Sequence, residues 1–250
     1  MEKFESESEK TQNGPGSPRP PLNHMVYAVS QTKLNERFPD WRVLYPVRLL
    51  VRLYRGLANR VLHPFRRWSL RRRLAGLTPV KHVLMLCVGN VCRSPYGAAR
   101  LVREAGGSPG DQKGASPGSE PFREEAAREP LEVRSAGLMG FGNPAPDTAR
   151  RVAATRGLNL EEHASQLLTQ EMVQWADLVV VMDLEQSRRL EREYGAPAHR
   201  IVILGDLDPG LPGRRDIPDP LGTSESFFER TYDRMDRCLD ELFPLIGGAS

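Results

Sequence analysis

Short apolar runs alternate with amphipathic stretches along most of the chain after residue 80. Residues 83–87 (VLMLC) form an unbroken apolar run closed by Gly89-Asn90, which predicts a buried strand and a turn. Residues 95–104 predict a helix, with Ser94 placed to cap it and Pro95 at its first position. A second strand is predicted over 131–135 and a helix over 145–156, ended by Gly157. Then follow a short helix at 169–175, a third strand at 178–182 and a helix at 184–194 that Asp183 can cap. Residues 201–204 predict a fourth strand, and 225–245 a long final helix in which Cys238 reads as core packing. Strands that read as continuous apolar runs are buried on both faces. Alternating with helices, they imply an α/β fold, a four-stranded parallel sheet with helices on both faces. Ligands bind such sheets at the carboxyl ends of the strands, where Cys87 falls.

Outside this domain, taken as 80–250, the pattern changes. Residues 1–24 are rich in Ser, Pro, Gly and Glu, and a disordered tail is expected over 1–40. A stretch rich in Gly, Ser, Pro and charge at 105–129 reads as a long loop inserted into the domain. Between tail and domain, 41–79 has helical spacing. Val47, Leu50, Val51, Tyr54, Leu57, Ala58, Val61 and Leu62 share an apolar face, and Arg48, Arg52 and Arg55 share another. Beyond them Arg66, Arg67, Arg71, Arg72 and Arg73 interleave with Phe65, Trp68 and Leu70.

Charge sharpens that picture. Residues 41–103 hold thirteen Arg, one Lys and no Asp or Glu; with +14 there and +3 overall, the rest carries −11. One end of the molecule is therefore expected to meet an anionic surface. Two readings of 41–79 compete. The helix lies on an anionic membrane, or it packs on the domain with a solvated Arg face. Nucleic acid is not expected, since no recognised nucleic-acid fold accompanies the charge.

Composition excludes several classes. No run of eighteen apolar residues exists, and the polar, acidic start is no secretory signal, which argues for a cytoplasmic protein with at most peripheral membrane contact. Three cysteines (Cys87, Cys92, Cys238) are too few for a disulfide framework, and they lack the ligand pairs of a zinc site. A reactive thiol in a reduced compartment fits better.

The candidate chemistry sits in Cys87-Val88-Gly89-Asn90-Val91-Cys92-Arg93-Ser94-Pro95. A Cys six residues before an Arg means little alone in a chain this rich in Arg; the context between strand and helix gives it weight. A strand-to-helix loop can turn its backbone N–H groups inward as an anion nest. Gly89 permits close backbone approach and Asn90 tolerates a left-handed conformation. Arg93 can hold two phosphate oxygens with its planar fork. The same positive surroundings favour a Cys87 thiolate. The plainer alternative is a buried core thiol.

The loop resembles that of the low-molecular-weight protein tyrosine phosphatase family, whose pattern is C-x-G-N-x-C-R-S-P after the first strand. The resemblance continues through Ser135-Ala136-Gly137, Asn143-Pro144-Ala145-Pro146-Asp147, Gly157-Leu158-Asn159, His163, Gln166-Leu167-Leu168-Thr169, Met182-Asp183 and Asp216-Ile217-Pro218-Asp219-Pro220. It covers nearly all of 81–247 except the insert. It implies a three-layer sandwich and hydrolysis of phosphotyrosine, EC 3.1.3.48, without metal or cofactor. Cys87 would be the nucleophile, Arg93 and the amides of Val88, Gly89, Asn90, Val91, Cys92 and Arg93 the phosphoryl cradle, and Asp219 the general acid. Asn90, Ser94, Ser135 and His163 would brace the loop, and Cys92 would be able to pair reversibly with Cys87 under oxidation. His163 also reads as a plain loop histidine, and Asp219 taken alone as a turn residue. A phosphotyrosine protein is the implied partner, with a tyrosine kinase upstream.

One departure stands out. After Asp-Pro the family often has aromatics that wall the substrate slot; this chain has Leu221-Gly222, leaving Phe141 for the opposite wall. Val91 stands where relatives resembling phosphoarginine phosphatases have Thr, which leans toward an aryl phosphate. Two rivals use the same loop: an arsenate reductase, whose thioredoxin-linked relatives need two further cysteines, and a module that binds phosphorylated ligands without turnover.

Overall fold

The structure is a computed structural model that describes residues 41–77, 79–106, 131–210 and 214–247. The tail expected over 1–40 and the insert from residue 107 onward lie outside the described residues. The chain divides into two units, residues 1–51 and 52–250. The described part of the first is helical.

In chain order the elements are α1 (Trp41–Ala75), β1 (His82–Cys87), α2 (Arg93–Glu104), β2 (Glu132–Gly137), α3 (Asp147–Ala154) and α4 (Gln170–Trp175). They continue with β3 (Leu178–Val181), α5 (Leu184–Tyr194), β4 (Ile201–Ile203) and α6 (Glu225–Ile246). The four strands form one parallel sheet in the order β2-β1-β3-β4. Alternation along each strand splits the core in two. Val83, Met85 and Cys87 face one side with Val180 and Val202, against Tyr96 of α2, Val152 of α3 and Phe228, Tyr232 and Leu239 of α6. Leu84 and Leu86 face the other with Val179, Val181 and Ile203, against Val173 of α4 and Leu190 of α5. The four-stranded parallel sheet with helices on both faces, a three-layer sandwich, is as expected from the sequence.

Helix ends follow local chemistry. Thr169 Oγ1 accepts from the Met172 N–H at 3.3 Å, and Asp183 Oδ1 from the Gln186 N–H at 2.8 Å, each capping the helix that follows. Ser94 does not. Helix α2 starts at Arg93, its N-cap is Cys92, and no side chain caps it. The Ser94 hydroxyl is turned to the sulfur of Cys87 instead. Cys238 is fully buried in the core, as read from its helix.

The basic segment corrects the sequence reading in one respect. Within residues 57–75 arginines and two leucines, Leu70 and Leu74, engage the domain, while Leu57, Val61, Leu62, Phe65 and Trp68 stay outside. Arg66 pairs with Asp206 at 3.6 Å, and Arg67 and Arg71 both pair with Glu241. Arg73 donates to the carbonyls of Ala198 and Ile201 at 3.1 and 2.7 Å, covering the edge strand β4. His63 Nε2 donates to the Asp208 carbonyl at 2.9 Å. Partly exposed ion pairs contribute about 0–1 kcal/mol each. The burial of Leu70 and Leu74 contributes about 1.5–3 kcal/mol each. Those two leucines hold the helix down; the arginines set its register.

Candidate active site

Strand β1 ends at Cys87, and the loop to α2 carries the thiol at the carboxyl edge of the sheet. The Cys87 Sγ lies 3.0 Å from the Ser94 hydroxyl and accepts the Asn90 N–H at 3.2 Å. Following the loop is the N-terminus of a twelve-residue helix, whose dipole favours an anion there.

Asn90 is the keystone. Its φ of 51° is left-handed, as its type allows. Fully buried, it bonds through both side chain and backbone. Its side-chain amide donates to Ser94 Oγ at 2.9 Å, and its Oδ1 accepts the Gln166 N–H at 2.9 Å. Its backbone carbonyl accepts from His163 Nε2 at 2.6 Å. Ser94 has one hydrogen to give and two neighbours for it, the sulfur and the Ala136 carbonyl at 3.3 Å. Donated to sulfur, it stabilises a thiolate.

Neighbouring segments hold the loop in place. Leu138 N–H donates to Cys87 O at 3.1 Å and Met139 N–H to Val88 O at 2.9 Å. Gly137 comes so close that a Cβ there would sit 2.9 Å from both Asn90 N and Val88 O. Any side chain at 137 would push the loop out of shape, which explains the Gly in Ser135-Ala136-Gly137. Gly140, at φ +90°, lies against Gly89, and a Cβ on it would meet Gly89 O at 3.3 Å. It presents the adjacent Phe141, 81% exposed, beside the Cys87 loop.

Arg93 is buried and reaches a segment more than 120 residues later in the chain. It donates to Ile217 O at 3.0 Å and forms an ion pair with Asp219. Its Nε is buried and has no hydrogen-bond partner among the described residues. Asp219 is exposed, and its Oδ1 accepts the Leu221 N–H at 3.2 Å. Arg234 ties down the segment that carries Asp219 by donating to Asp216 O at 2.6 Å, while its Nε pairs with Asp208 at 2.8 Å.

The uncharged form of two groups is favoured by burial. Burial lowers the His163 pKa against the opposing bond to Asn90 and so favours the neutral ring. Burial, followed by the proximity of Asp219 and Cys87, pushes the Cys92 thiol far up, with Arg93 opposing. Both loop cysteines are free thiols.

The sequence-derived set thus converges on one place. Cys87, Asn90, Arg93, Ser94, His163 and Asp219 are joined by contact, although Asp219 lies 126 residues from Arg93. Val91 packs half-buried at the core's margin. Ser135 enters through its backbone carbonyl, which accepts from Gln166 Nε2 at 2.7 Å. Sequence reasoning missed two supports. Gln166 lies within the Gln166-Leu167-Leu168-Thr169 block, whose polar member was its only signal. Tyr232, whose hydroxyl donates to Cys92 O at 3.1 Å, gave none. The arsenate reductase reading loses its third thiol, since Cys238 is fully buried in α6 and desolvation pushes its pKa far up.

Comparison with known proteins is consistent with this geometry. The model of the family described as low molecular weight phosphotyrosine protein phosphatase matches residues 112–248, a span that begins after the Cys87 loop. The probable low molecular weight protein-tyrosine-phosphatase EpsP of Ralstonia nicotianae is 30% identical over 168 residues, 67% of this chain and 97% of that protein. The low molecular weight protein-tyrosine-phosphatase Etp of Escherichia coli is 32% identical over 161 residues, 64% of this chain and 90% of its own. Among solved structures, the tyrosine phosphatase AmsI of Erwinia amylovora superposes with a TM-score of 0.52 at 26% identity, covering 65% of this chain and 90% of that one. The YwlE arginine phosphatase from Geobacillus stearothermophilus superposes at 0.50 with the same identity and coverage.

Proposed function

The chain belongs to the low molecular weight phosphotyrosine protein phosphatase family, and on that premise we propose that it hydrolyses phosphotyrosine in protein substrates through a cysteinyl-phosphate. It is a phosphoric monoester hydrolase of the protein-tyrosine-phosphatase class. In this reading Cys87 Sγ attacks phosphorus in line as the tyrosyl oxygen leaves. Asp219 gives that oxygen its proton. It then takes a proton from the water that releases phosphate from sulfur. Arg93 and the loop amides carry the charge of the phosphoryl group in flight; the buried Arg93 Nε is a donor that a phosphoryl oxygen would satisfy. Phe141 and Leu221 supply apolar contact for the ring.

The observation that carries this reading is that Asp219, 126 residues away in sequence, is paired with Arg93 of the loop in which Ser94 lies against the Cys87 sulfur. The test is turnover of an aryl phosphate in the presence of EDTA, together with matched phosphotyrosine, phosphoarginine and phosphoserine peptides. Phosphotyrosine is expected to be preferred. Leu221-Gly222 and the likeness to an arginine phosphatase favour one second reading, and preference for the phosphoarginine peptide would establish it. The substrate implies a tyrosine kinase that makes it. A further partner in this reading is an anionic membrane surface, met through residues 41–79. No helix of the described residues is long and apolar enough to cross a membrane, so that contact would be peripheral.

A further inference from the structure

At 3.6 residues per turn the two sides of α1 diverge sharply. His63, Leu70 and Leu74 lie on one side, all buried. On the opposite side Tyr54, Leu57, Val61, Phe65 and Trp68 form a stripe about 21 Å long, each more than half exposed. Phe65 and Trp68 lie with ring centroids 5.9 Å apart, and the Arg72 guanidinium sits over the Trp68 ring at 5.6 Å. A contiguous apolar stripe on the solvent side of a helix already anchored by its other side is not a core face and marks an interaction surface.

Charge selects the occupant. Arg60 and Arg72 flank the stripe, both exposed, in a stretch without a single acidic residue from 41 to 103. A second copy of the chain docked two-fold on this surface would bring cation against cation. An anionic bilayer complements both parts, accepting the apolar stripe below the headgroups and the flanking cations among them. Tyr and Trp suit that boundary, with one end apolar and the other wet.

We infer that α1 is a two-faced adaptor. Its arginines 66, 67, 71 and 73 fix it to the phosphatase domain, and its exposed stripe inserts shallowly into an anionic bilayer. This rests on the membrane reading above and alters what that reading assigns to the arginines. Most of the basic cluster is engaged by Asp206, Glu241 and the carbonyls of Ala198 and Ile201. Lipid contact then falls to the apolar residues, assisted by Arg60 and Arg72. Binding scales with the apolar area inserted and only secondarily with salt.

The test is flotation of the full chain with vesicles of phosphatidylcholine alone or mixed with phosphatidylglycerol, at low and high salt. The expected result is flotation with the anionic vesicles. The L57E/V61E/F65E protein should bind at least about ten-fold more weakly while hydrolysing an aryl phosphate at the parent rate. The R67Q/R71Q protein should bind as the parent does. Absence of flotation by the parent protein would remove the membrane reading itself. Flotation that survives L57E/V61E/F65E but is lost in R67Q/R71Q would keep the membrane and overturn the assignment of faces. A parent dimer in light scattering that L57E/V61E/F65E dissolves, without vesicle binding, would give the stripe to a second copy.

Discussion

The Cys87 loop and the outer face of α1 break opposite halves of the same rule. In the loop, polar groups are inside. Asn90, Arg93 and Ser94 are buried and bonded to one another, to sulfur and to backbone. On α1, apolar groups are outside, from Tyr54 to Trp68. Buried polar groups are costly unless satisfied, and exposed apolar stripes lower solubility. A folded chain that keeps both has a use for each, chemistry in the first and contact in the second. The two meet at Asp208, whose carbonyl accepts from His63 of α1. Its carboxylate pairs with Arg234, the residue that steadies the segment bearing Asp219.

That comparison can be broken at three levels. The largest effect is expected at Asp219. Asp219→Ala should lower kcat on an aryl phosphate by about 10²- to 10⁴-fold, and less on substrates whose leaving group needs no proton. An equal loss on both kinds of substrate would show that the carboxylate serves only to hold Arg93.

Next comes the joint. Burial raises the Asp208 carboxyl, but the Gly210 N–H and the guanidiniums of Arg234 and Arg237 outweigh it and hold it below the usual carboxylate range. A carboxyl lowered by folding stabilises fully above its unfolded value, near pH 4, and loses that contribution as pH falls through its folded one. Asp208→Asn should cost about 3 kcal/mol or more at pH 7 by stranding Arg234, with the gap to the parent closing below about pH 4. Urea unfolding at pH 7 and pH 3 reads both. A constant gap would place the loss in shape rather than charge.

The smallest single effect, and the sharpest comparison, comes from one substitution made on both sides of α1. Leu74→Ala should cost about 2–5 kcal/mol, and Leu57→Ala about 0.5 kcal/mol or less, read by thermal unfolding. Similar costs would mean that Leu57 is buried in solution.

The sequence alone conveyed the sheet, since runs such as 83–87 and 178–182 sit between clear turn residues. It also conveyed the loop's chemistry, which is local and ordered along the chain. What it could not convey was competition between partners. Ser94 reads as a cap from the sequence, yet α2 begins one residue before it and its hydroxyl turns to the sulfur seven residues upstream. The arginines of α1 look solvated because no acid lies near them in sequence; Asp206 and Glu241, which pair with them, come more than 130 residues later. Gln166 and Tyr232 brace the loop through backbone groups, a role that leaves no pattern of residue types.

Everything assigned to the site depends on Cys87 taking the phosphoryl group. Slowing the second step with Asp219→Ala, quenching during turnover of an aryl phosphate and mapping the peptides by mass reads this directly. The account predicts one phosphoryl group on the peptide bearing Cys87, none on Cys92 or Cys238, and no turnover once Cys87 is replaced by Ser. Steady hydrolysis by the Cys87→Ser protein, or turnover with no phosphorylated Cys87 at any time, would contradict it.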